Sequence, residues 1–186
     1  MSFTVSALTG DRTERYRQLI AQAEALVAGE TDRIANAANL AALVFHALTE
    51  VNWVGFYFFD GHELVVGPFQ GKPACVRIAI GKGVCGTAAD TRKTQLVPDV
   101  HAFPGHIACD AETRSEIVVP LVRDNILVGV FDLDSPQPNR FDDVDRKGLE
   151  SIAQAFLNSL DQVAAAVAPG RDTASGNVVD SEPPTR

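Results

Sequence analysis

Apolar residues recur every three or four positions in three stretches of this 186-residue chain, and each stretch predicts a helix. The first helix is predicted between a cap at Asp11 and a turn at Gly29. The second is predicted from Thr31 to about Glu50, and the third from Asp142 or Asp143 to about Val167. On the second helix the predicted buried stripe consists of Ile34, Ala35, Ala38, Ala42, Phe45 and Leu48.

Between the second and third helices the apolar pattern changes to the two-residue period of strands. Turn signals at Asp60-Gly61 and Asp124-Asn125 indicate two hairpins, and residues 84–91 fit one or two helical turns. The predicted strands cover residues 53–59, 63–66, 76–80, 94–97, 116–123 and 126–134. This order predicts an α+β fold, in which a central antiparallel sheet carries the N- and C-terminal helices on one face.

Composition indicates one domain and removes several classes of function. With 46% hydrophobic residues, one core is expected at residues 11–167, between a short N-terminal segment at 1–10 and a tail at 168–186 that is predicted to be disordered. A net charge of -8 without a basic cluster argues against binding to nucleic acid. No apolar stretch is long enough to span a bilayer and no secretory signal is recognisable, so a cytoplasmic protein is expected.

Three cysteines, Cys75, Cys85 and Cys109, are the strongest candidates for chemistry. In a reducing compartment disulfides are usually transient and catalytic, and an odd number of thiols suits a nucleophile with alternative resolving partners. A free cysteine is also a common core residue, and Cys75 and Cys85, which adjoin apolar residues, are open to that interpretation.

Cys109 fits a core position poorly, because it lies in a polar segment at residues 99–114 that predicts a long loop. The same segment contains His101 and His106, whose spacing is compatible with a structural zinc site. No C-x-x-C pair completes such a site, so thiol redox chemistry is the favoured interpretation.

An apolar stripe on the last predicted strand ends in two acids. Residues two apart share a face of a strand, so Asp132 and Asp134 lie on the same face as Ile126, Val128 and Val130. Carboxylates at the edge of a core need a cation or a proton, and Glu116 on the neighbouring strand adds a third acid. The three acids predict a site for an ammonium group or for delivering a proton, unless the strand ends at Asp132 and its two acids are solvated turn residues before Ser135-Pro136.

Trp53 and Tyr57 lie on one face of their predicted strand, with Gly55 between them. Aromatic residues on strands are usually core residues. Trp and Tyr each carry a polar atom that needs a partner, however, so a half-open pocket also suits them. The notch between the two rings would accept a small methyl or thioether group.

Six short motifs together resemble one known family. They are N-W-V-G-F-Y from Asn52, G-P-F-Q-G-K-P-A-C from Gly67, G-K-G-V-C-G from Gly81, G-H-I-A-C-D from Gly105, S-E-I-V-V-P-L from Ser115 and F-D-L-D-S from Phe131. With the spacing of the cysteines, they resemble the free methionine-(R)-sulfoxide reductases, which are built on the GAF domain. The resemblance covers roughly residues 12–165 and implies a GAF-like fold.

The resemblance also implies roles for individual residues. Cys109 would be the nucleophile, Cys75 its main resolving partner and Cys85 an auxiliary thiol. The residues that would bind the substrate are Trp53 and Tyr57 at its methyl group, Glu116, Asp132 and Asp134 at its ammonium group or its oxygen, and the loop amides near Ile107 and Ala108 at its carboxylate.

The implied reaction is the thiol-dependent reduction of free L-methionine-(R)-sulfoxide to methionine, through a cysteine sulfenic acid and an intramolecular disulfide. By analogy with the family, thioredoxin is the expected reductant, and no metal or organic cofactor is required. A homodimer is compatible with the sequence, which does not fix the oligomeric state. Two other functions stay open at this point: a GAF module that binds a ligand without chemistry, and a redox sensor that signals through its cysteines.

Overall fold

The computed structural model describes residues 5–105, 107 and 110–160. A six-stranded antiparallel sheet has the strand order β3-β2-β1-β6-β5-β4. The helices are α1 (Arg12–Val27), α2 (Arg33–Ala47), α3 (Gly83–Thr91) and α4 (Asp143–Ser159), with a 3-10 turn at Val100–Ala102. The strands are β1 (Trp53–Phe59), β2 (Glu63–Gly71), β3 (Arg77–Ala79), β4 (Gln95–Val97), β5 (Ser115–Arg123) and β6 (Ile126–Ser135).

These elements confirm the predicted α+β order, and every predicted strand is present. Both hairpins form at the predicted turns, and Asp124 and Asn125 adopt the left-handed conformation that such a turn needs. The predicted tail and the end of the last helix near Val167 lie outside the described residues. Within the described ranges, none of the helices is long and apolar enough to cross a membrane.

One face of the sheet carries α1, α2 and α4, as predicted for the N- and C-terminal helices. The aromatic centre of this core joins three elements. Phe56 of β1 stacks on Phe131 of β6 at 4.6 Å between ring centroids, and its ring is tilted against that of Phe156 in α4 at 4.9 Å. Each ring is completely buried. Burying a side chain of this size stabilises the fold by roughly 1.5 to 3 kcal/mol, so these three rings anchor α4 to the sheet.

The prediction for α2 was wrong in two respects. The helix begins after Asp32, whose side chain accepts hydrogen bonds from the backbone N–H groups of Ile34 and Ala35, and not after Thr31. The predicted buried stripe is also wrong, since Ile34 is 48% exposed. The residues that are buried are Asn36, Ala37, Leu40, Ala41, Leu43 and Val44.

The cause of this error is a buried amide. Almost every residue of α2 is small or apolar, so the apolar period alone does not select a face. Asn36 marks the true inner face, because its Nδ2 donates to Ser159 Oγ and to the carbonyl of Glu30, both at 2.9 Å. A polar residue with both partners inside the protein is easily taken for a surface residue.

The packing of α1 against α4 includes a completely buried acid, Asp145. Tyr16 donates its hydroxyl hydrogen to Asp145 Oδ1 at 2.7 Å, and the guanidinium groups of Arg12 and Arg140 form ion pairs with the same carboxylate. The backbone N–H of Asp142 donates to Asp145 Oδ2. Hydrogen bonds and two cations therefore satisfy this acid inside the fold.

The other face of the sheet carries α3 and a second, smaller core. Two glycines fix the position of α3. Gly83 has φ +60°, and a Cβ on Gly86 would lie only 2.4 Å from the carbonyl oxygen of Ala79 in β3. Since only glycine permits this approach, the G-K-G-V-C-G motif places the first turn of α3 directly over the sheet.

A β-bulge in β6 changes the predicted stripe of apolar residues. The register with β5 shifts near Gly129. Leu127 therefore packs on the face that carries α3 (the α3 face), while Val128 packs on the face that carries α1, α2 and α4 (the helix face). Ile126 is exposed. Of the predicted apolar residues, only Val130 shares its face with the acids; the alternation assumed from the sequence fails because the bulge inserts one residue into the strand.

Candidate active site

Three acids meet where β5 and β6 run side by side on the α3 face. Glu116 of β5 lies directly opposite Asp134 of β6, and Asp132 lies two residues before Asp134 in β6. All three side chains line one cavity. Glu116 is 6% exposed and Asp132 5% exposed. The predicted proximity of these residues is confirmed, whereas the alternative that the strand ends at Asp132 is wrong, because β6 runs to Ser135 and Asp132 is buried.

The first turn of α3 adds a thiol to the acids. The Cys85 Sγ lies 3.9 Å from Glu116 Oε1, which accepts its hydrogen bond. Cys85 is buried and has a free thiol. Three possible ligand atoms lie within 4.8 Å of one another: the Sγ of Cys85 and one carboxylate oxygen each from Glu116 and Asp132.

Within the described ranges no lysine, arginine or histidine forms an ion pair with the three acids. Asp132 Oδ1 is buried and has no hydrogen-bond partner there. Burial raises the pKa of Asp132 to about 7. Burial and the neighbouring charge of Asp132 raise the pKa values of Glu116 and Asp134 well above their usual range.

The thiol responds to the same environment. Burial, followed by the charges of Asp132 and Glu116, raises the pKa of Cys85 well above its usual value. A position in the first turn of a helix ordinarily favours a thiolate, so here burial among acids outweighs the helix terminus. Cys85 is therefore protonated at neutral pH and serves as a hydrogen-bond donor to Glu116.

Trp53 and Tyr57 form the wall beside the acids, with ring centroids 5.8 Å apart. The indole Nε1 of Trp53 donates to the carbonyl of Lys72 at 3.1 Å. The predicted notch at Gly55 is not open, because the Trp53 ring itself lies over it: a Cβ on Gly55 would be 2.4 Å from the indole. Glycine thus lets the indole lie close against the strand, and both rings line the cavity.

The mouth of the cavity contains residues that the sequence did not single out. Lys72 and Lys82 lie at the rim, and Lys72 Nζ is 2.6 Å from Glu112 Oε2 and 3.5 Å from Asp110 Oδ2. Thr113 also lines the cavity, and its buried hydroxyl has no partner in the described part of the chain. Lys72 and Lys82 lie within two of the six family motifs, so the sequence could have identified them as site residues. Nothing in the sequence around Thr113 distinguishes that residue.

The profile of the GAF domain matches residues 35–161 of this chain. The free methionine-R-sulfoxide reductase of Escherichia coli strain K12 is 51% identical over 142 residues, which are 76% of this chain and 86% of that protein. The chain belongs to the GAF-domain family of free methionine-R-sulfoxide reductases. The predicted family and fold class are confirmed.

Solved structures of related proteins agree with this membership. The free methionine-R-sulfoxide reductase from Neisseria meningitidis, determined in complex with its substrate, is 42% identical, with a TM-score of 0.84 over 89% of this chain and 100% of that one. A candidate GAF sensor protein from Burkholderia vietnamiensis is 63% identical, with a TM-score of 0.80 over 84% of this chain and 99% of that one. The proteins that this chain resembles thus include both a reductase and a candidate sensor.

Most predicted site residues of this family member lie around the one cavity. Those that line it are Trp53, Tyr57, Cys85, Ile107, Glu116, Asp132 and Asp134. Cys75 is partly buried and disulfide-bonded, and its neighbour Ala74 lines the cavity. Cys109 and Ala108 lie outside the described residues, as does His106, so their roles stay predictions. Ile107 and Asp110, which flank the first two, both line the cavity mouth.

Proposed function

We propose that this protein reduces free L-methionine-(R)-sulfoxide to L-methionine with its own thiols. The observation that carries the proposal is a set of three acids, in a cavity with an aromatic wall, that no described cation neutralises. A buried carboxylate without a counterion is destabilising by several kcal/mol unless it is protonated or meets a cation. The ammonium group of a free amino acid is such a cation, and the matched E. coli and N. meningitidis proteins are reductases of free methionine sulfoxide.

The substrate is oriented by groups at three levels of the cavity. Asp132 accepts the ammonium group, because its Oδ1 is buried and unpaired among the described residues. The faces of Trp53 and Tyr57 hold the methyl and thioether portion. Loop amides near Ile107 and Ala108 bind the carboxylate at the mouth, where the side chain of Lys72 also lies.

The chemistry begins at Cys109. Its thiolate attacks the sulfoxide sulfur, the oxygen is protonated, and methionine leaves as the oxygen is transferred to Cys109 as a sulfenic acid. Cys75 then attacks the sulfenic sulfur and forms a disulfide with Cys109 while water departs. One sulfoxide is reduced and two thiols are oxidised, so an external dithiol, with thioredoxin as the expected donor, must restore both.

The raised pKa values of Glu116 and Asp134 make either acid a suitable proton donor for the sulfoxide oxygen. A carboxyl group that stays protonated near neutral pH can donate its proton as the sulfur–oxygen bond breaks. Cys85 holds Glu116 by a hydrogen bond and, as a protonated thiol, acts as an auxiliary group and not as the first nucleophile.

The decisive experiment measures dithiol-dependent loss of free methionine sulfoxide, resolved by epimer. We expect reduction of the R epimer, little of the S epimer, and a rate lower by about 10⁴-fold for N-acetylated, C-amidated methionine sulfoxide, which lacks the ammonium group. Cys109→Ser should abolish turnover. Cys75→Ser should still release one methionine per enzyme but stall when thioredoxin is the only reductant. Equal rates on free and blocked substrates would contradict the proposal.

The 63% identity to a candidate sensor from B. vietnamiensis supports one rival function, ligand binding or redox sensing without turnover. The same assay separates the two. A sensor would bind methionine sulfoxide or become oxidised without releasing methionine over many cycles, whereas a reductase consumes substrate in proportion to the dithiol supplied.

A further inference from the structure

Beside the reaction itself, the cluster of Cys85, Glu116 and Asp132 has the composition of a metal site. Ligand atoms of the three residues lie within 4.8 Å of one another, and all three residues are buried. A tetrahedral zinc ion with a Zn–S bond of about 2.3 Å and a Zn–O bond of about 2.0 Å separates sulfur from oxygen by about 3.5 Å. The 3.9 Å between Cys85 Sγ and Glu116 Oε1 needs only a small rotamer adjustment to reach this value.

A second observation points to a ligand at the same place. Asp132 is 95% buried, since only 5% of it is exposed, and its Oδ1 accepts no hydrogen bond from any described residue. The side chain of Asp132 lines the same cavity as those of Glu116 and Cys85. A buried, unpaired carboxylate oxygen beside a thiol is the arrangement that a cation would complete.

We propose that Cys85, Glu116 and Asp132 form a binding site for a thiophilic divalent cation, with Zn²⁺ as the fitting ion, and that the bound ion excludes the substrate. One sulfur and two oxygens suit Zn²⁺ better than Mg²⁺ or Ca²⁺, which take six or more oxygen ligands. The fourth position faces the cavity and is open to water. On binding, the Cys85 S–H bond breaks, a sulfur–metal bond forms, and the proton leaves to solvent.

Exclusion of the substrate follows from the shared position, and this step rests on the proposed function. The ammonium group of methionine sulfoxide and the metal ion both require the Asp132 carboxylate. They cannot bind together, so Zn²⁺ is expected to act as a reversible, competitive inhibitor. Release of the ion by a chelator restores turnover, whereas a chelator does not reverse thiol oxidation, so the two kinds of inhibition are distinguishable.

The test uses the full chain, oxidised until a thiol count gives one free thiol per chain, so that only Cys85 can supply a thiolate. Titration with Co²⁺ should give a stoichiometric sulfur-to-metal charge-transfer absorption that Zn²⁺ displaces. Calorimetry of Zn²⁺ in buffers of different ionisation enthalpy should register the released proton. These measurements involve no turnover, so they decide the metal site even if the protein reduces no sulfoxide.

Variants separate this site from adventitious binding. Cys85→Ser and Glu116→Gln should each weaken Zn²⁺ binding by at least about 100-fold, the upper end of the effect of residues that only orient ligands. Glu24→Gln, which changes an exposed acid of α1, should leave the affinity unchanged. Circular dichroism confirms that each variant is folded, and Asp132→Asn provides a second test if Cys85→Ser is not.

The outcomes are distinct. Loss of the Co²⁺ absorption in Cys85→Ser, together with weaker Zn²⁺ binding when free methionine sulfoxide is added, supports the proposal. A titration without this absorption, or the same Zn²⁺ affinity in wild type and Cys85→Ser, overturns the site. Zn²⁺ binding that methionine sulfoxide does not weaken overturns the exclusion of the substrate.

Discussion

Two sets of buried acids lie on opposite faces of the sheet, and the protein treats them differently. Asp145, on the helix face, accepts a hydrogen bond from Tyr16 and pairs with Arg12 and Arg140. On the α3 face the described residues provide no cation for Asp132 and its neighbours, and one oxygen of Asp132 has no partner among them. One carboxylate is satisfied within the fold, whereas the other retains unused binding capacity.

This difference teaches how to separate a structural acid from a binding acid. Both sets are buried, so burial alone does not distinguish them. What distinguishes them is whether the carboxylate already has partners within the protein. A buried carboxylate that the fold pairs with cations holds α1 to α4, whereas an unpaired one is destabilising until a ligand binds. Substitutions on the two faces should therefore have opposite effects on stability and activity.

The largest expected effect is the loss of substrate binding in Asp132→Asn. An amide cannot provide the charge that a buried ammonium group requires, so the KM for free methionine-(R)-sulfoxide should rise by about 100-fold, corresponding to about 3 kcal/mol. Steady-state kinetics with a dithiol measure it. Asp90→Asn, at an exposed position in α3, is the matched control and should behave like wild type. An unchanged KM in Asp132→Asn would show that the ammonium group of the substrate does not bind at Asp132.

The corresponding change on the helix face is Arg140→Met. It removes one of the two cations that pair with Asp145, so the free energy of unfolding in urea should fall by about 3 kcal/mol. Activity per folded molecule should not change, because Arg140 lies away from the cavity.

Arg146→Met is the matched control on the same face. Arg146 pairs with Asp143 on the exposed side of α4, and a surface ion pair contributes less than about 1 kcal/mol. Equal losses of stability in Arg140→Met and Arg146→Met would show that Asp145 does not depend on its buried cation.

The acids on the α3 face could be predicted from the sequence, whereas the buried position of Asp145 on the helix face could not. Asp132 and Asp134 stand two apart on a strand, and strand geometry alone places them together. Asp145 stands among other charged residues at the start of α4 and looks like part of a solvated helix face. Its partners Arg12 and Arg140 come from distant or irregular segments, and no sequence period reports such contacts.

The same limit explains two of the errors in the fold, the buried face of α2 and the apolar stripe of β6. The inner face of α2 depends on the contact of Asn36 with Ser159, and these residues are 123 positions apart. The bulge in β6 lies in its pairing with β5, where Leu121 is opposite Gly129 and Val122 is opposite Leu127. Local patterns predict elements and turns well, but the choice of a face and a register is made by tertiary contacts.

The pH dependence of stability provides a third test of the contrast. Because the pKa of folded Asp132 is raised to about 7, the folded state binds more protons than the unfolded state between about pH 4 and 7. The contribution of this group to stability is present at low pH and is lost as the pH rises through 7.

Asp132→Asn removes that dependence. Relative to wild type, the variant should gain stability as the pH rises from about 4 to 8, by no more than about 4 kcal/mol at the upper end, although it loses activity. Thermal or urea unfolding of both proteins across this range measures the difference. A difference that stays constant with pH would mean that Asp132 ionises normally in the fold.

The smallest effect is expected at Thr113, whose buried hydroxyl has no partner among the described residues and lines the cavity. Thr113→Val replaces it with a methyl group of similar shape and leaves no polar atom unsatisfied, so stability should change by less than about 1 kcal/mol. If the hydroxyl binds the substrate, kcat/KM should nevertheless fall by about 10-fold, the effect of one neutral hydrogen bond. Thr91→Val, at an exposed position in α3, is the control. Equal kcat/KM values for the two variants would show that the unpaired hydroxyl of Thr113 does not contact the substrate.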